Sequence, residues 1–304
     1  MTRPPFPEVI DSSLLAAFRS CPRKAQLEFF EHWKARDPSV HLIAGAAYAK
    51  GLEVARKAYY VEGQPPDDAI ALGLSALLAA YGDFQCPEDS AKSPARMAGA
   101  LEFYFERYPL TTDPAVPMEL PGGTRGIEFS FVEPIEATHP ETGNPLLYCG
   151  RMDMLVNLEG MALGEDDKTT SQLGASWPRQ WDLRSQFTSY VWGAGRAGIK
   201  LDGFLVRGVS ILKTKYDTLQ AITYRPAWQI DRWYEQVLKD VRRMVECWES
   251  GYWDYNLDHA CAEYGGCPFS QVCQMSQPEA LLEQRFQRRR WDPVQRTETV
   301  LEAA

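Results

Sequence analysis

Apolar residues recur at helical spacing through the first hundred positions of the chain. Leu14, Phe18, Cys21 and Ala25 fall three or four residues apart, which predicts a helix over residues 11–34. An Asp or Ser at its start can cap the first turn. The same spacing predicts further helices over residues 43–60, residues 66–81 and the segment ARMAGALEFYFERY. Residues 1–110 are therefore expected to be mainly helical.

After residue 120 the pattern changes to the alternation of apolar and polar positions that is typical of β-strands. The predicted strands are GTRGIEFSFVEPI, LLYCGRMDMLVNL, MALGEDDKTT, LDGFLVRGVSILK and TLQAITYRP. Glu159 and Gly160 supply a tight turn between the second and third, which predicts a hairpin. Helical spacing returns in RQWDLRSQFTSYVWGAGRAG and AWQIDRWYEQVLKDVRRMVECWESG. We expect one α/β domain over residues 1–304, with its core at 120–250 and a cysteine-rich segment and basic tail at 255–304.

The composition narrows the class of protein. Of the 304 residues, 45% are hydrophobic and 24% are charged, as in ordinary globular proteins. The sequence has no apolar run of membrane-spanning length and no apolar core of a secretory signal near residue 1, which predicts a cytosolic protein without a membrane partner. The net charge of −9 argues against a protein that coats nucleic acid nonspecifically.

An acidic run on the third predicted strand is the first candidate for chemistry. Residues two apart in a strand share a face, so Asp166 and Lys168 point one way while Glu165 and Asp167 point the other. Asp153, on the preceding strand, can lie beside Asp166 and Lys168 across the hairpin. Two carboxylates can hold Mg²⁺ or Mn²⁺, and a lysine can orient water or offset negative charge during phosphodiester hydrolysis. A short charge run is, however, most often a solvated surface.

Three segments together give a resemblance to a known family. The segments are GRMDML with Asp153, DDK with Asp166 and Lys168, and QFTSY with Gln186 and Tyr190. In this order they resemble the G-x-x-D, D-x-K and Q-x-x-x-Y motifs of the PD-(D/E)XK nuclease superfamily, specifically its RecB-like branch. Taken alone, Gln186 and Tyr190 also fit an ordinary half-buried helix face.

The resemblance implies a restriction-endonuclease-like fold, in which helices flank a central mixed sheet. It implies a DNA exonuclease that acts at ends or on single strands, with Mg²⁺ or Mn²⁺ held by Asp153 and Asp166 and water positioned by Lys168. It further implies a phage-type or CRISPR-associated protein of a bacterial or phage-infected cytoplasm, with a homo-oligomer or recombination and replication proteins as partners. The alternative is a catalytically weak or inactive DNA-binding module in such a complex.

Two positions bear on the metal site that the resemblance implies. Glu128 lies on the strand before the hairpin, where related nucleases have a glutamate near the metal; otherwise it is an outward-facing strand residue. Tyr48 stands where RecB-like members often have a metal-binding histidine. A neutral tyrosine is a poor ligand for Mg²⁺, so Glu53, Glu128 or a water would have to take that place.

The cysteines suggest a second metal site. Cys261, Cys267 and Cys273 lie six residues apart near the C-terminus, and Cys21 lies on the first predicted helix. The same nucleases have one cysteine before the core and three after it, which hold a [4Fe–4S] cluster, so the resemblance implies this cofactor here. A Zn²⁺ site and unligated core thiols are the alternatives.

Candidate nucleic-acid contacts are less specific. The arginines at 285, 288, 289, 290 and 296 can hold phosphates or form a solvated tail. Lys213 and Lys215 are a second basic pair. Trp177 and Trp181 can stack on unpaired bases or pack in the core.

Overall fold

The computed structural model describes residues 3–37, 39–82, 84–87, 89–262 and 266–301. The chain forms two compact units, each assembled from separate stretches of sequence. The first unit comprises Met1–Asp37, Phe131–Gly150 and Asp231–Ala304, and the second comprises Pro38–Ser130 and Arg151–Ile230. The candidate carboxylates and Lys168 all belong to the second unit, whereas the four candidate cysteines all belong to the first.

The helices are α1 (Ser12–Ser20), α2 (Pro22–Ala25), α3 (Val40–Tyr60), α4 (Pro66–Tyr81), α5 (Pro94–Arg107), α6 (Ser185–Arg196), α7 (Ala227–Ser250), α8 (His259–Ala262), α9 (Ser270–Cys273) and α10 (Glu279–Arg285). The strands are β1 (Val9–Ile10), β2 (Trp33–Ala35), β3 (Ala115–Pro117), β4 (Ile127–Thr138), β5 (Pro145–Leu158), β6 (Met161–Thr170), β7 (Gly203–Ile211), β8 (Tyr216–Tyr224), β9 (Phe286–Asp292) and β10 (Thr297–Val300). Among the described residues, no helix is both long and apolar enough to cross a bilayer.

The main sheet combines parallel and antiparallel pairs. β5 with β6 and β7 with β8 are antiparallel, whereas β6 and β7 are parallel. The strands follow the order β1-β5-β6-β7-β8, and β3 and β4 also pair with β5. A parallel pair needs a crossover connection, and α6 lies on the chain between β6 and β7. The protein therefore has a mixed α/β fold with a central mixed sheet and flanking helices, as the sequence predicts.

The predicted hairpin is confirmed as β5 and β6. Its register runs from Leu158 opposite Met161 to Met154 opposite Glu165. Glu159 and Gly160 both have positive φ, at 51° and 88°. Two positive φ values in a two-residue loop match the right-handed twist of the strands, and glycine adopts such a value without strain. The local sequence thus fixes which residues of the two strands face each other.

α6 covers one face of the sheet in the second unit. The rings of Phe187 on α6 and Phe204 on β7 stack with their centroids 4.7 Å apart. Phe204 pairs in register with Gly164 of β6, and a Cβ at Gly164 would overlap the Phe204 ring. Side chains alternate along a strand, so Asp166 and Lys168 share this face with Gly164.

α3 and α5 cover the opposite face. Val209 and Ile211 of β7 are buried in one cluster with Tyr48 of α3 and with Leu101 and Tyr104 of α5. Their odd-numbered positions place them opposite to Phe204 on the strand. Because both faces of β6 and β7 are covered, any charged group on β6 needs partners within the protein.

The first helix is shorter than the sequence predicts. α1 ends at Ser20, and Cys21 is extended with φ −162° and ψ 117°. Pro22 follows and begins α2, since proline disfavours the helical conformation in the residue before it and has no N–H for the helix to use. The prediction of one helix over residues 11–34 is therefore wrong, and Cys21 lies at the break.

The expected basic tail is in part a strand. β9 pairs antiparallel with β2 on one side and with β10 on the other. At its start the ring of Phe286 stacks on Phe269 with a centroid distance of 4.9 Å. This buried ring anchors the segment, so the arginines at 288, 289 and 290 lie on a paired strand, where Arg290 is exposed.

We expect Gly164→Ala to destabilise the fold by about 1–3 kcal/mol, because the added methyl overlaps the Phe204 ring in a packed interface. Gly195→Ala is the matched control in the same unit. A Cβ at Gly195 meets nothing within 4 Å, and alanine in a helix is about 1 kcal/mol better than glycine. Urea denaturation of both variants measures the difference. Equal stabilities would contradict the close packing of α6 on β6.

Candidate active site

Asp153, Asp166 and Lys168 come together at the hairpin. The Lys168 ammonium forms an ion pair with Asp166 on the same face of β6. The Asp153 carboxylate accepts a hydrogen bond of 3.0 Å from the backbone N–H of Asp167. The Asp166 side chain is 5% exposed and that of Lys168 is 30% exposed, so the group is buried on one side and open at the lysine. The structure therefore places the three predicted residues in one cluster.

The cluster holds an excess of negative charge. Burial, followed by repulsion from Asp166 and Asp167, raises the pKa of Asp153 well above its ordinary value. Burial also raises the pKa of Asp166, although Lys168 opposes the shift. Burial alone would lower the pKa of Lys168, but Asp166 and Asp153 outweigh it and raise that pKa. At neutral pH Lys168 is thus a cation, and the two carboxylates favour a further positive charge.

Glu128 also belongs to this region. It has a φ of 57°, an uncommon value for a residue other than glycine, and its side chain is 11% exposed. The carboxylate pairs with Arg151, whose guanidinium also lies 3.8 Å from Glu53. Glu128 contributes to the raised pKa of Asp153. The structure thus brings Glu128 close to the cluster, and it adds Arg151, which no motif in the sequence indicates.

Gln186 and Tyr190 lie next to each other on α6. The Gln186 amide donates a hydrogen bond of 2.9 Å to the Tyr190 hydroxyl. Tyr190 is 6% exposed, and its ring lies 5.8 Å from that of Phe204. Since Phe204 neighbours Gly164 in the sheet, both residues lie over the sheet face that carries Asp166.

Glu165 and Asp167 point to the other face, as the alternation predicts. Arg56 of α3 contacts both, with its Nη2 2.5 Å from Glu165 Oε1 and its Nη1 2.7 Å from Asp167 Oδ2. Glu165 is fully buried, and burial raises its pKa to about 6 in spite of Arg207 and Arg56. Nothing in the helical surroundings of Arg56 marks it in the sequence as the partner of a strand more than a hundred residues away.

Tyr48 lies on the Glu165 and Asp167 side. It is 2% exposed, its ring meets that of Tyr104 edge-on at 6.4 Å, and its hydroxyl has no hydrogen-bond partner among the described residues. Burial, and then the Asp167 charge, raise the pKa of Tyr48 well above its ordinary value. The phenol therefore stays neutral and does not supply the missing metal ligand.

The carboxylates of Asp153 and Asp166 suit a metal ion whose other ligands are substrate oxygens and water. Over the described ranges, no group of three or more His, Cys, Asp or Glu side chains is arranged to hold a metal ion. Mg²⁺ in phosphoryl-transfer sites commonly takes only one or two protein carboxylates, with the remaining positions filled by phosphate oxygens and water. Asp153 and Asp166 match that smaller set, and their mutual repulsion is the cost that a cation would relieve.

The four predicted cysteines line one small pocket in the first unit, namely Cys21, Cys261, Cys267 and Cys273. Burial raises the pKa values of the Cys267 and Cys273 thiols, and the charges of Cys21 and Cys261 raise them further. Apolar residues pack around the segments that carry these cysteines, and Cys267 lies against them. Leu27, Phe269, Val272, Leu282 and Phe286 form one buried cluster.

Backbone contacts complete the approach of the two cysteine segments. The Asn256 N–H lies 3.5 Å from the Cys21 sulfur, and the Arg23 N–H donates to Asp254 O at 3.0 Å. The Cys267 N–H donates to Cys261 O at 2.9 Å. The break at Cys21 is thus held against the segment before Cys261. Residues 263–265, between Cys261 and Cys267, lie outside the described residues.

The remaining candidates for nucleic-acid contact are two tryptophans, which lie in the core, and Lys213, which lies on the surface. Trp177 and Trp181 are 5% and 6% exposed, and a Cβ at Gly208 would overlap Trp177, so both tryptophans pack in the core. They are not open to stack on bases. Lys213 is exposed and pairs with Asp89 at 2.9 Å.

We expect Asp153→Asn to stabilise the metal-free protein at pH 8, because burial and the neighbouring carboxylates raise the pKa of Asp153 and make its charged form unfavourable in the folded state. A carboxyl whose pKa is raised on folding destabilises the fold as pH rises above its ordinary value of 3.8, and this effect is absent below that value. The gain should therefore shrink as pH falls toward that value. Urea denaturation in EDTA from pH 5 to 8 measures it, with Glu106→Gln as control. A variant less stable than wild type at pH 8 would contradict the charge excess.

Comparison with known proteins gives a likeness of fold. No protein-family model matches the sequence, and no curated protein matches it. The structure is similar to that of a protein from Eubacterium rectale, provisionally named an exonuclease, with a TM-score of 0.51 and 13% identity over 88% of this chain and 93% of that chain. The structure of SSO0001 aligns with a TM-score of 0.32 and 12% identity over 76% of this chain and 84% of that chain, and supports no argument. At these identities the likeness is one of fold alone.

Proposed function

We propose that this protein is a metal-dependent nuclease of the PD-(D/E)XK superfamily, RecB-like branch, which hydrolyses DNA at ends or in single strands. The observation that carries the proposal is the meeting of Asp153, Asp166 and Lys168 at one hairpin. The order of the G-x-x-D, D-x-K and Q-x-x-x-Y motifs supports the same branch. Residues 120–250 then form the core of one nuclease domain over 1–304, and recombination, replication or DNA processing in a bacterial or phage-infected cytoplasm is its setting.

The chemistry divides between the ion and the side chains. A bound Mg²⁺ or Mn²⁺ ion supplies charge neutralisation at the scissile phosphate and lowers the pKa of water. Asp153 and Asp166 would provide hard oxygen ligands for it. Asp166 is buried and Asp153 is half-buried, so solvent screens their charges poorly. Lys168 stays protonated beside Asp166, so it orients the attacking water and stabilises negative charge that develops on the phosphate.

The surrounding residues have supporting roles in this proposal. The Gln186 amide and the Tyr190 hydroxyl form a rigid polar pair over the Asp166 face, which suits contact with the substrate backbone. Glu128 is held by Arg151 near Asp153, where it can hydrogen-bond water of the metal shell. Its positive φ directs the side chain to this position at some cost in backbone strain.

We expect Asp166→Ala and Lys168→Met to lower the rate of DNA degradation in Mn²⁺ by roughly 10²–10³-fold, because each removes a group that stabilises charge at the reacting phosphate. End-labelled single- and double-stranded DNA, with the label at either end, gives both the rate and the polarity of cleavage. Glu106→Gln, an exposed change on α5, is the control. Equal activity in all four proteins would mean a contaminating nuclease and would reject the assignment.

The same assay tests the alternative function. A nuclease fold that binds DNA with weak or no hydrolysis, within a recombination or replication complex, is favoured by Tyr48, whose buried neutral phenol stands where related nucleases have a metal ligand. Wild-type protein that binds DNA in fluorescence anisotropy but does not degrade it in Mn²⁺ would support this alternative. Degradation that depends on Asp166 and Lys168 would exclude it.

We further propose that Cys21, Cys261, Cys267 and Cys273 hold a [4Fe–4S] cluster, with a four-thiolate Zn²⁺ site as the alternative. Four thiols that share one pocket are the type of donor that either group takes, although over the described residues their side chains are not arranged to hold a metal ion. A bound cluster would connect the α1–α2 break to the C-terminal segment. It would thereby close a loop of about 240 residues in the unfolded chain and add ligand binding to the folding free energy.

We expect anaerobically purified protein to be brown, with iron and acid-labile sulfide in equal amounts, and Cys267→Ser to lose both and to unfold at a lower temperature. Cys86→Ser is the control, since Cys86 does not line the pocket. Metal analysis, visible absorption and thermal denaturation provide the measurements. A colourless protein with bound zinc would replace the cluster with the zinc alternative, and a metal-free protein of unchanged stability would reject both.

A further inference from the structure

We infer that Arg56 is a positioning residue of the candidate active site and that it fixes the catalytic segment of β6 from the opposite face of the sheet. The inference rests on the proposed nuclease function, since it concerns how that site is held. Arg56 lies on α3, is 3% exposed and belongs to none of the three nuclease motifs. Its effect on Asp153, Asp166 and Lys168 passes through the backbone of the strand that carries two of them.

Arg56 binds the carboxylates of Glu165 and Asp167, two side chains of β6 that point to the same face of the sheet. We call this pair of contacts the clamp. One guanidinium nitrogen lies 2.5 Å from Glu165 and the other lies 2.7 Å from Asp167. The first nitrogen also donates to the Tyr104 hydroxyl at 2.7 Å. The planar guanidinium holds both carboxylates in a fixed relative position, which a single ammonium cannot do. Arg56 therefore fixes the strand on both sides of Asp166.

Tyr104, which contacts Arg56, is itself held by Arg207. Arg207 of β7 donates to both oxygens of Asp113 at 2.5 and 2.7 Å and to the Tyr104 hydroxyl at 3.2 Å. Arg207 is 1% exposed, and Tyr104 is also 1% exposed. Tyr104, which contacts Arg56, is thus held by a neighbour that has almost no access to water, so movement of its hydroxyl is restricted.

A hydrogen bond joins the residues that Arg56 holds to Asp153 on the catalytic face. The backbone N–H of Asp167 donates to the Asp153 carboxylate at 3.0 Å. Asp167 therefore contacts Arg56 through its side chain and Asp153 through its backbone. A shift of Asp167 would move the Asp153 carboxylate relative to Asp166, and the separation of these two groups decides whether one ion can bind both.

Stability is a poor explanation for this network. Buried ion pairs often contribute no more than apolar residues of the same volume, because desolvation opposes the Coulombic attraction. Here several charges are buried directly behind the strand that carries Asp166 and Lys168. Precise placement of a reacting group is what such a network supplies in addition to packing, and catalytic sites are sensitive to small displacements.

The experiment compares Arg56→Met, Arg56→Lys and the triple variant Arg56→Met/Glu165→Gln/Asp167→Asn, which leaves no unpaired buried charge at the clamp and keeps the fold if Arg56→Met alone does not. Arg96→Met is the matched control, since Arg96 is a partly buried arginine of the same unit that contacts Leu212 O and Lys215 O rather than β6. Circular dichroism and denaturation establish that each variant is folded under assay conditions.

We expect kcat in Mn²⁺ to fall by about 10–100-fold in Arg56→Met and in the triple variant, and by less in Arg56→Lys, which keeps one of the two contacts. KM for DNA should stay unchanged, because Arg56 is too deeply buried to touch substrate. Mn²⁺ binding without DNA, followed by electron paramagnetic resonance, should weaken in parallel. Arg96→Met should keep wild-type kcat and Mn²⁺ affinity.

The two possible failures are distinguishable. Wild-type protein without activity that depends on Asp166 would reject the proposed function itself. Active wild-type protein, together with folded Arg56 variants that keep wild-type kcat and Mn²⁺ affinity, would reject the positioning role alone. A fall in kcat with an equal fall in the folded fraction, and none in the Mn²⁺ affinity of the folded protein, would likewise reduce Arg56 to a structural residue.

Discussion

The alternation of side chains along β6 is the constraint on which the rest of the candidate site depends. It divides four consecutive charged residues into two pairs with different surroundings. Asp166 and Lys168 lie on the sheet face that α6 covers, and Asp153 lies beside them. Glu165 and Asp167 face α3 and contact Arg56. One strand thus carries the candidate site residues on one face and contacts a buried arginine through the side chains of the other face.

The parts of the fold that depend on nearby residues could be predicted from the sequence. The β5–β6 hairpin follows from the strand pattern and from Glu159 and Gly160, whose positive φ values fit a two-residue loop. The opposite directions of Asp166 and Asp167 follow from the period of a strand. The contact of Arg56 with β6 could not be predicted in this way, because it joins residues more than a hundred positions apart and depends on how α3 packs on the sheet.

Two expectations failed for reasons visible in the chain. The apolar spacing over residues 11–34 predicted one helix, but Pro22 forces Cys21 out of the helical conformation. The arginine-rich segment lacks the apolar alternation that marks a strand, yet the single buried ring of Phe286 and pairing with β2 order it as β9. The break at Cys21 also places its sulfur beside residue 256, which a continuous helix would not do.

The hairpin has a consequence for the order in which the structure forms. Its two strands are joined by two residues, and a hairpin of this kind closes in about 1–10 μs, whereas contacts of high sequence separation follow later because of their loop-closure entropy. We therefore expect the acidic side chains of β5 and β6 to come together before the guanidinium of α3 reaches them. During refolding we expect the carboxylates of the newly formed β5–β6 hairpin to repel one another. Added salt should reduce that repulsion by screening the charges, at the stage when the repulsion is greatest.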